Sequence, residues 1–166
     1  IKIMLKPKIE KELNKQLNRE AFSAYLYLSM AAYFESENLK GFAHWLKVQA
    51  KEETDHAMKF FNHIIERNAK VSLEKIDAPK ISWKSALEAF QDAYEHEKKV
   101  TNFINEILSM SKSEKDYATD NFLQWFVSEQ VEEEAQTLEI VQKLEQIKGS
   151  MGGLLVLDHH LEKREG

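Results

Sequence analysis

Apolar side chains recur along most of this chain at alternating spacings of three and four, which marks one face of an α-helix. From Lys8 to Glu37 that face is Leu13, Leu17, Glu20, Ala24, Tyr27, Ala31 and Phe34. From Gly41 to Asn68 it is Phe42, Leu46, Gln49, Glu53, His56, Phe60 and His63 or Ile64. From Trp83 to Met110 it is Leu87, Phe90, Tyr94, Glu97, Thr101, Ile104 and Leu108. A fourth stretch, from a Ser113 cap to Ile147, gives Thr119, Leu123, Phe126, Gln130, Glu133, Thr137, Ile140 and Leu144, and Met151 to Leu161 reads as a short fifth helix. The pattern predicts an all-α protein, a four-helix bundle over about residues 8–147 with a tail helix over about 151–162, forming one domain of residues 1–166.

The connections constrain the packing. Turns at 38–41 and 111–113 predict antiparallel hairpins. The middle connection, Ala69 to Ser82, contains Pro79 and no sustained period. Fourteen extended residues reach about 46 Å, and a 28-residue helix is about 42 Å long. The loop is therefore long enough to run the length of the bundle and make the second and third helices parallel. Register alone allows either direction, because residues near a midpoint align both ways.

Every stripe is interrupted near its middle by a carboxylate, namely Glu20, Glu53, Glu97 and Glu133. Burying an uncompensated carboxylate costs several kcal/mol. Two divalent cations carry the charge that would balance four of them. Glu53 and His56 are three apart on one helix, so they can offer an oxygen and a nitrogen to the same cation. Oxygen-rich ligation with one imidazole favours iron or manganese over copper or structural zinc, with iron preferred and zinc a competitor. For any single glutamate, a hydrogen-bond network or a stripe facing water explains the sequence as well. Four interruptions at matching depth, together with Glu-x-x-His, point instead to a metal pair.

Composition narrows the class further. Five glycines and two prolines leave little punctuation for sheets. The absence of cysteine excludes disulfides, Cys-ligated zinc and iron–sulfur clusters. A net charge of -5 opposes a nucleic-acid partner, and Lys2, Lys6, Lys8 and Lys11 are too few and too mixed with acids to bind DNA. No apolar run approaches a membrane span and no export signal opens the chain, so a cytoplasmic protein with no membrane partner is expected. Ile1 to Ile3 precede Met4, a candidate native start.

Further acids cluster at Glu129, Glu132, Glu133 and Glu134. They read either as a solvated helix face or, with Glu52, as an accessory acidic site that shares Glu133. Tyr27, two turns after Glu20, either serves the site or is a core tyrosine with a satisfied hydroxyl. Trp125 is open in the same way. His44, His63 and His96 read as surface or core histidines, and His159 and His160 lack a metal spacing.

Four motifs now stand in order: Leu17-Asn18-Arg19-Glu20, Glu52-Glu53-Thr54-Asp55-His56, Tyr94-Glu95-His96-Glu97 and the run from Asn121 to Glu134. With them the sequence resembles the ferritins of the prokaryotic non-haem type over essentially its whole length. The resemblance implies an iron-storage protein with ferroxidase activity and a cage of twenty-four subunits that stores hydrated ferric oxide. Its substrates would be Fe(II) and dioxygen or peroxide. It implies that Glu20, Glu53 and His56 hold one iron, that Glu53, Glu97 and Glu133 hold the second with Gln130 beside them, and that Tyr27 adjoins the centre. Glu52, Glu129, Glu132 and Glu133 look like the additional iron site of this type. Gln130-x-x-Glu133 stands where bacterioferritins carry a second Glu-x-x-His, and Thr54 stands where their haem-ligating methionine would fall, so no haem is expected. A small-substrate oxygenase or peroxidase of the same bundle class and a DNA-protecting assembly of the Dps type are the competing readings.

Overall fold

In the computed structural model, residues 4–166 are described, and Ile1 to Ile3 fall outside them. Those residues form five α-helices and no strand: α1 (Pro7–Ser36), α2 (Lys40–Glu66), α3 (Ala86–Ser113), α4 (Tyr117–Gln146) and α5 (Met151–Leu161). Pro7 opens α1, where its missing N–H costs nothing. Asn38 closes it at φ 58°, a left-handed residue that lets Leu39 N donate to Phe34 O at 2.9 Å.

Two helix starts differ from the sequence reading. Ser113 ends α3 and does not cap α4; its hydroxyl donates back to Met110 O. The cap of α4 is Asp116, which accepts from Thr119 N at 3.1 Å after Lys115 turns the chain at φ 54°. Likewise α3 begins at Ala86 and not at Trp83, because Ser85 accepts from Glu88 N while Glu88 reaches back to Lys84 N. Side-chain oxygens placed three residues ahead decide both starts, and stripe periodicity carries no information about them.

The middle connection lies along α1. Asn14 bonds to Lys70 O and Ser72 N, Asn18 to Ser72 O and Glu74 N, and Ser29 to Lys80 O. The Tyr33 and Trp83 rings then meet at 5.4 Å. From Asn14 to Tyr33 α1 advances about 28 Å, and the loop advances with it. It therefore delivers α3 to the end where α2 started, and α2 and α3 are parallel.

The stripes of α2 and α4 are buried as the pattern predicts. On α3 Phe90, Glu97 and Ile104 are buried as the pattern predicts, but Ala93, Val100 and Ile107 are buried beside them, whereas Leu87, Tyr94, Thr101 and Leu108 are half-buried. Apolar packing is split into two clusters. One contains Phe34, Phe42, Trp45 and Phe90, and the other Leu13, Phe60, Ile104 and Phe126. Between them lies a polar layer.

Candidate metal centre

Each long helix contributes to that layer. Glu20 and Glu97 are 1% exposed, Glu53 and Glu133 2%, and His56 3%. Ligand atoms of Glu20, Glu53 and His56 lie within 4.8 Å of one another, as do those of Glu53, Glu97 and Glu133. Glu53 belongs to both sets, so it can bridge two cations. All of these residues come from a single chain.

Hydrogen bonds hold the carboxylates from behind. Gln16 donates to Glu20 Oε1 at 2.9 Å, and Gln49 donates to Glu53 Oε1 at 2.8 Å and to Glu133 Oε2 at 2.7 Å. Tyr27 donates a short bond to Glu97 Oε1. Gln130 donates to Glu97 Oε2 and to Thr101 Oγ1, each at 3.2 Å, so its amide positions Glu97. His56 Nδ1 sits 3.2 Å from Glu53 Oε2 and 3.9 Å from Glu20 Oε2. Among the described residues, Glu20 Oε2 is the buried side-chain oxygen left without a hydrogen-bond partner.

Among the described residues no Lys or Arg is buried with these carboxyls, and each carboxyl is shifted toward its protonated form. Burial, then the charge of Glu53, raises Glu20 well above the usual range; burial, then Glu97 and Glu133, does the same for Glu53. Glu133 is raised by burial and then by Glu97. Glu97 is raised by burial, against which its Tyr27 and Gln130 hydrogen bonds act. Burial and Glu97 push the Tyr27 phenol up, so it stays a donor. A layer of acids that resists ionisation on its own is the chemistry expected of a site completed by cations.

The acids of the accessory reading are only partly brought together. Glu129 Oε1 approaches His56 Nε2 to 3.8 Å and groups with His56 and Glu133. Glu132 is exposed, and Glu52 pairs with Arg164 at 2.8 Å. Trp125 is 41% exposed and packs edge-on against His56 at 5.4 Å. Three of the other histidines have structural partners: His63 contacts Thr119 and stacks on Phe122, His96 contacts Ser23, and His44 contacts Arg164 O, while His159 and His160 are exposed on α5. Thr54, at the position considered for haem, spends its hydroxyl on Ala50 O. Gln16, Gln49 and Arg164 are site neighbours that the sequence reading did not assign. Gln49 had a signal as a polar stripe member; Arg164 had none.

The ferritin-like domain family matches residues 10–147. The chain belongs to the ferritin family. It is 39% identical to a bacterial non-heme ferritin of Bacteroides fragilis (strain 638R) over 161 residues, covering 97% of this chain and all of that protein. A bacterial non-heme ferritin of Campylobacter jejuni is 40% identical over 159 residues, covering 96% of this chain and 95% of its own. Crystal structures of an open-pore ferritin from Archaeoglobus fulgidus superpose with a TM-score of 0.96 at 50% identity, covering 97% of this chain and 99% of that one. The all-α bundle with its short last helix is thus the ferritin fold.

Proposed function

We propose that this ferritin stores iron, binding Fe(II) at the paired site within each subunit, oxidising it there and passing Fe(III) on as hydrated ferric oxide inside a homo-oligomeric cage of twenty-four subunits. Membership of the ferritin family and the non-heme ferritins among its relatives support iron storage and ferroxidase-type activity at family level. The observation that carries the finer reading is the pair of ligand sets sharing Glu53 within a buried layer that, among the described residues, contains no Lys or Arg.

In this reading Glu20, Glu53 and His56 hold one Fe(II), and Glu53, Glu97 and Glu133 hold the other. Four carboxylates around two cations favour the higher charge of Fe(III), which lowers the electrostatic cost of oxidation. Two electrons leave the pair and, with two protons, reduce dioxygen to hydrogen peroxide or peroxide to water. Cations arriving in the layer oppose the upward pKa shifts of its carboxyls and favour their ionised, ligating form. Gln130 and Tyr27 keep Glu97 oriented, and Glu129 with Glu52, Glu132 and Glu133 forms an accessory site. Cage assembly has support in an apolar groove lined by Ala21, Ala24, Leu28, Ala50 and Ile76 on the outer side of α1 and α2. Among the described residues no helix is long and apolar enough to cross a membrane, and a cytoplasmic setting fits that.

The test is aerobic addition of Fe(II) to the metal-free protein. Ferric absorbance should develop rapidly, and Glu53→Ala or His56→Ala should slow the initial rate by at least tenfold. Unchanged rates in both variants would sink the assignment. Light scattering separates storage from a small-substrate oxygenase: a particle of about two dozen chains is expected for storage, whereas a monomer would favour the oxygenase.

A further inference from the structure

The segment after α5 carries a side chain to the edge of the metal layer. Its delivery is well fixed. Asp158 Oδ1 accepts from Phe42 N at 3.0 Å, and a Cβ at Gly41 would collide with the Asp158 carbonyl, so only glycine lets α5 approach α2 this closely. The Arg164 carbonyl then accepts from His44 Nε2 at 2.7 Å.

The Arg164 guanidinium lies 4.0 Å from the centre of the Trp45 ring and donates to Trp45 O at 3.1 Å. Its Nη2 donates to Gln49 Oε1 at 2.9 Å and to Glu52 Oε2 at 2.8 Å. The side chain is 13% exposed. Two effects on the site follow. With its oxygen taken by Arg164, Gln49 must point its NH2 at Glu53 and Glu133, as observed. Glu52, meanwhile, is held in an ion pair and stands outside the group formed by His56, Glu129 and Glu133.

We propose that Arg164 is a positioning residue that limits the accessory metal site, competing with the cation there for Glu52. This rests on the paired-site reading above. A cation at Glu129 and Glu133 gains Glu52 as a ligand only when the guanidinium lets it go. A guanidinium does not lose its charge in the neutral range, so Arg164 itself does not switch with pH there.

Anaerobic titration of the assembled protein with Co(II), followed by calorimetry and visible absorption, tests this without iron oxidation. Unmodified protein should show a tight class of sites and a weaker one. Arg164→Ala should tighten the weak class about tenfold, the worth of one charge-assisted hydrogen bond, while the tight class shifts far less, because Gln49 can still donate to Glu53 and Glu133. Arg164→Lys, which keeps the charge, should return the weak class toward its original affinity, and adding Glu52→Gln to Arg164→Ala should remove the gain. A merely structural arginine would loosen both classes when lost. An intact tight class with an unmoved or loosened weak class in Arg164→Ala overturns the proposal alone. Absence of any tight class sensitive to Glu53→Ala overturns the paired-site reading and this proposal with it.

Discussion

Replacing Glu133 with glutamine should stabilise the metal-free protein while removing a ligand from the second metal position. Glu133 is 2% exposed, and burial followed by the charge of Glu97 pushes its carboxyl up to about 9. In an unfolded chain the same group titrates near about 4.3, so folding at pH 7 must bring it a proton, at about 1.4 kcal/mol per pH unit over roughly 2.7 units, or about 4 kcal/mol. Glutamine has the same shape, needs no proton, and still accepts from Gln49 Nε2. Because the folded pKa is raised, the carboxyl's contribution to stability is fully present below about pH 4.3 and is lost as pH rises toward about 9. The advantage of Glu133→Gln should therefore be near zero in acid, widen through neutrality and level off in base. For a chain of this size about 4 kcal/mol is roughly 10 °C in Tm. Calorimetric unfolding of metal-free parent and variant from pH 4 to 9 measures the gap, and excess Zn(II) should raise the parent's Tm more than the variant's. A metal-free variant less stable than the parent at pH 8, or a gap that ignores pH, would refute the reasoning.

Three further outcomes are expected. Tyr27→Phe leaves Glu97 Oε1 without its phenolic donor, which should cost about 1–3 kcal/mol of stability and weaken Zn(II) binding by calorimetry. His63 is buried against Phe122, and burial, then Arg67, lowers it to about 4, so its neutral form contributes stability above about pH 6.5 that is lost as pH falls through about 4. His63→Gln should flatten that acid limb in denaturant titrations at pH 4 and 7. Gly41→Ala should push α5 off α2, seen as faster amide exchange over residues 154–161 with the exchange of α3 unchanged.

The sequence by itself determined the helices and the depth of the acids. Helix periodicity is local: a residue's face follows from 3.6 residues per turn, so the stripes of α2 and α4 could be read directly and brought Glu53, His56, Gln130 and Glu133 onto buried faces. It also placed a turn at 38–41, where the structure closes α1 with Asn38 at φ 58°. Tertiary structure decided everything that needed a partner distant in the chain. The direction of the crossover came from Asn14, Asn18 and Ser29 holding its backbone. On α3 Ala93, Val100 and Ile107 joined Phe90, Glu97 and Ile104 on the buried side, while Tyr94 and Leu108 were left half-buried. The starts of α3 and α4 are local as well, set by Ser85 and Asp116 accepting from N–H groups three residues on, but stripe periodicity does not report them. Arg164 reached Gln49 and Glu52 only because α5 folds back over Gly41. A pattern of spacings can say which side chains share a face, but which faces meet depends on packing between elements far apart in the sequence.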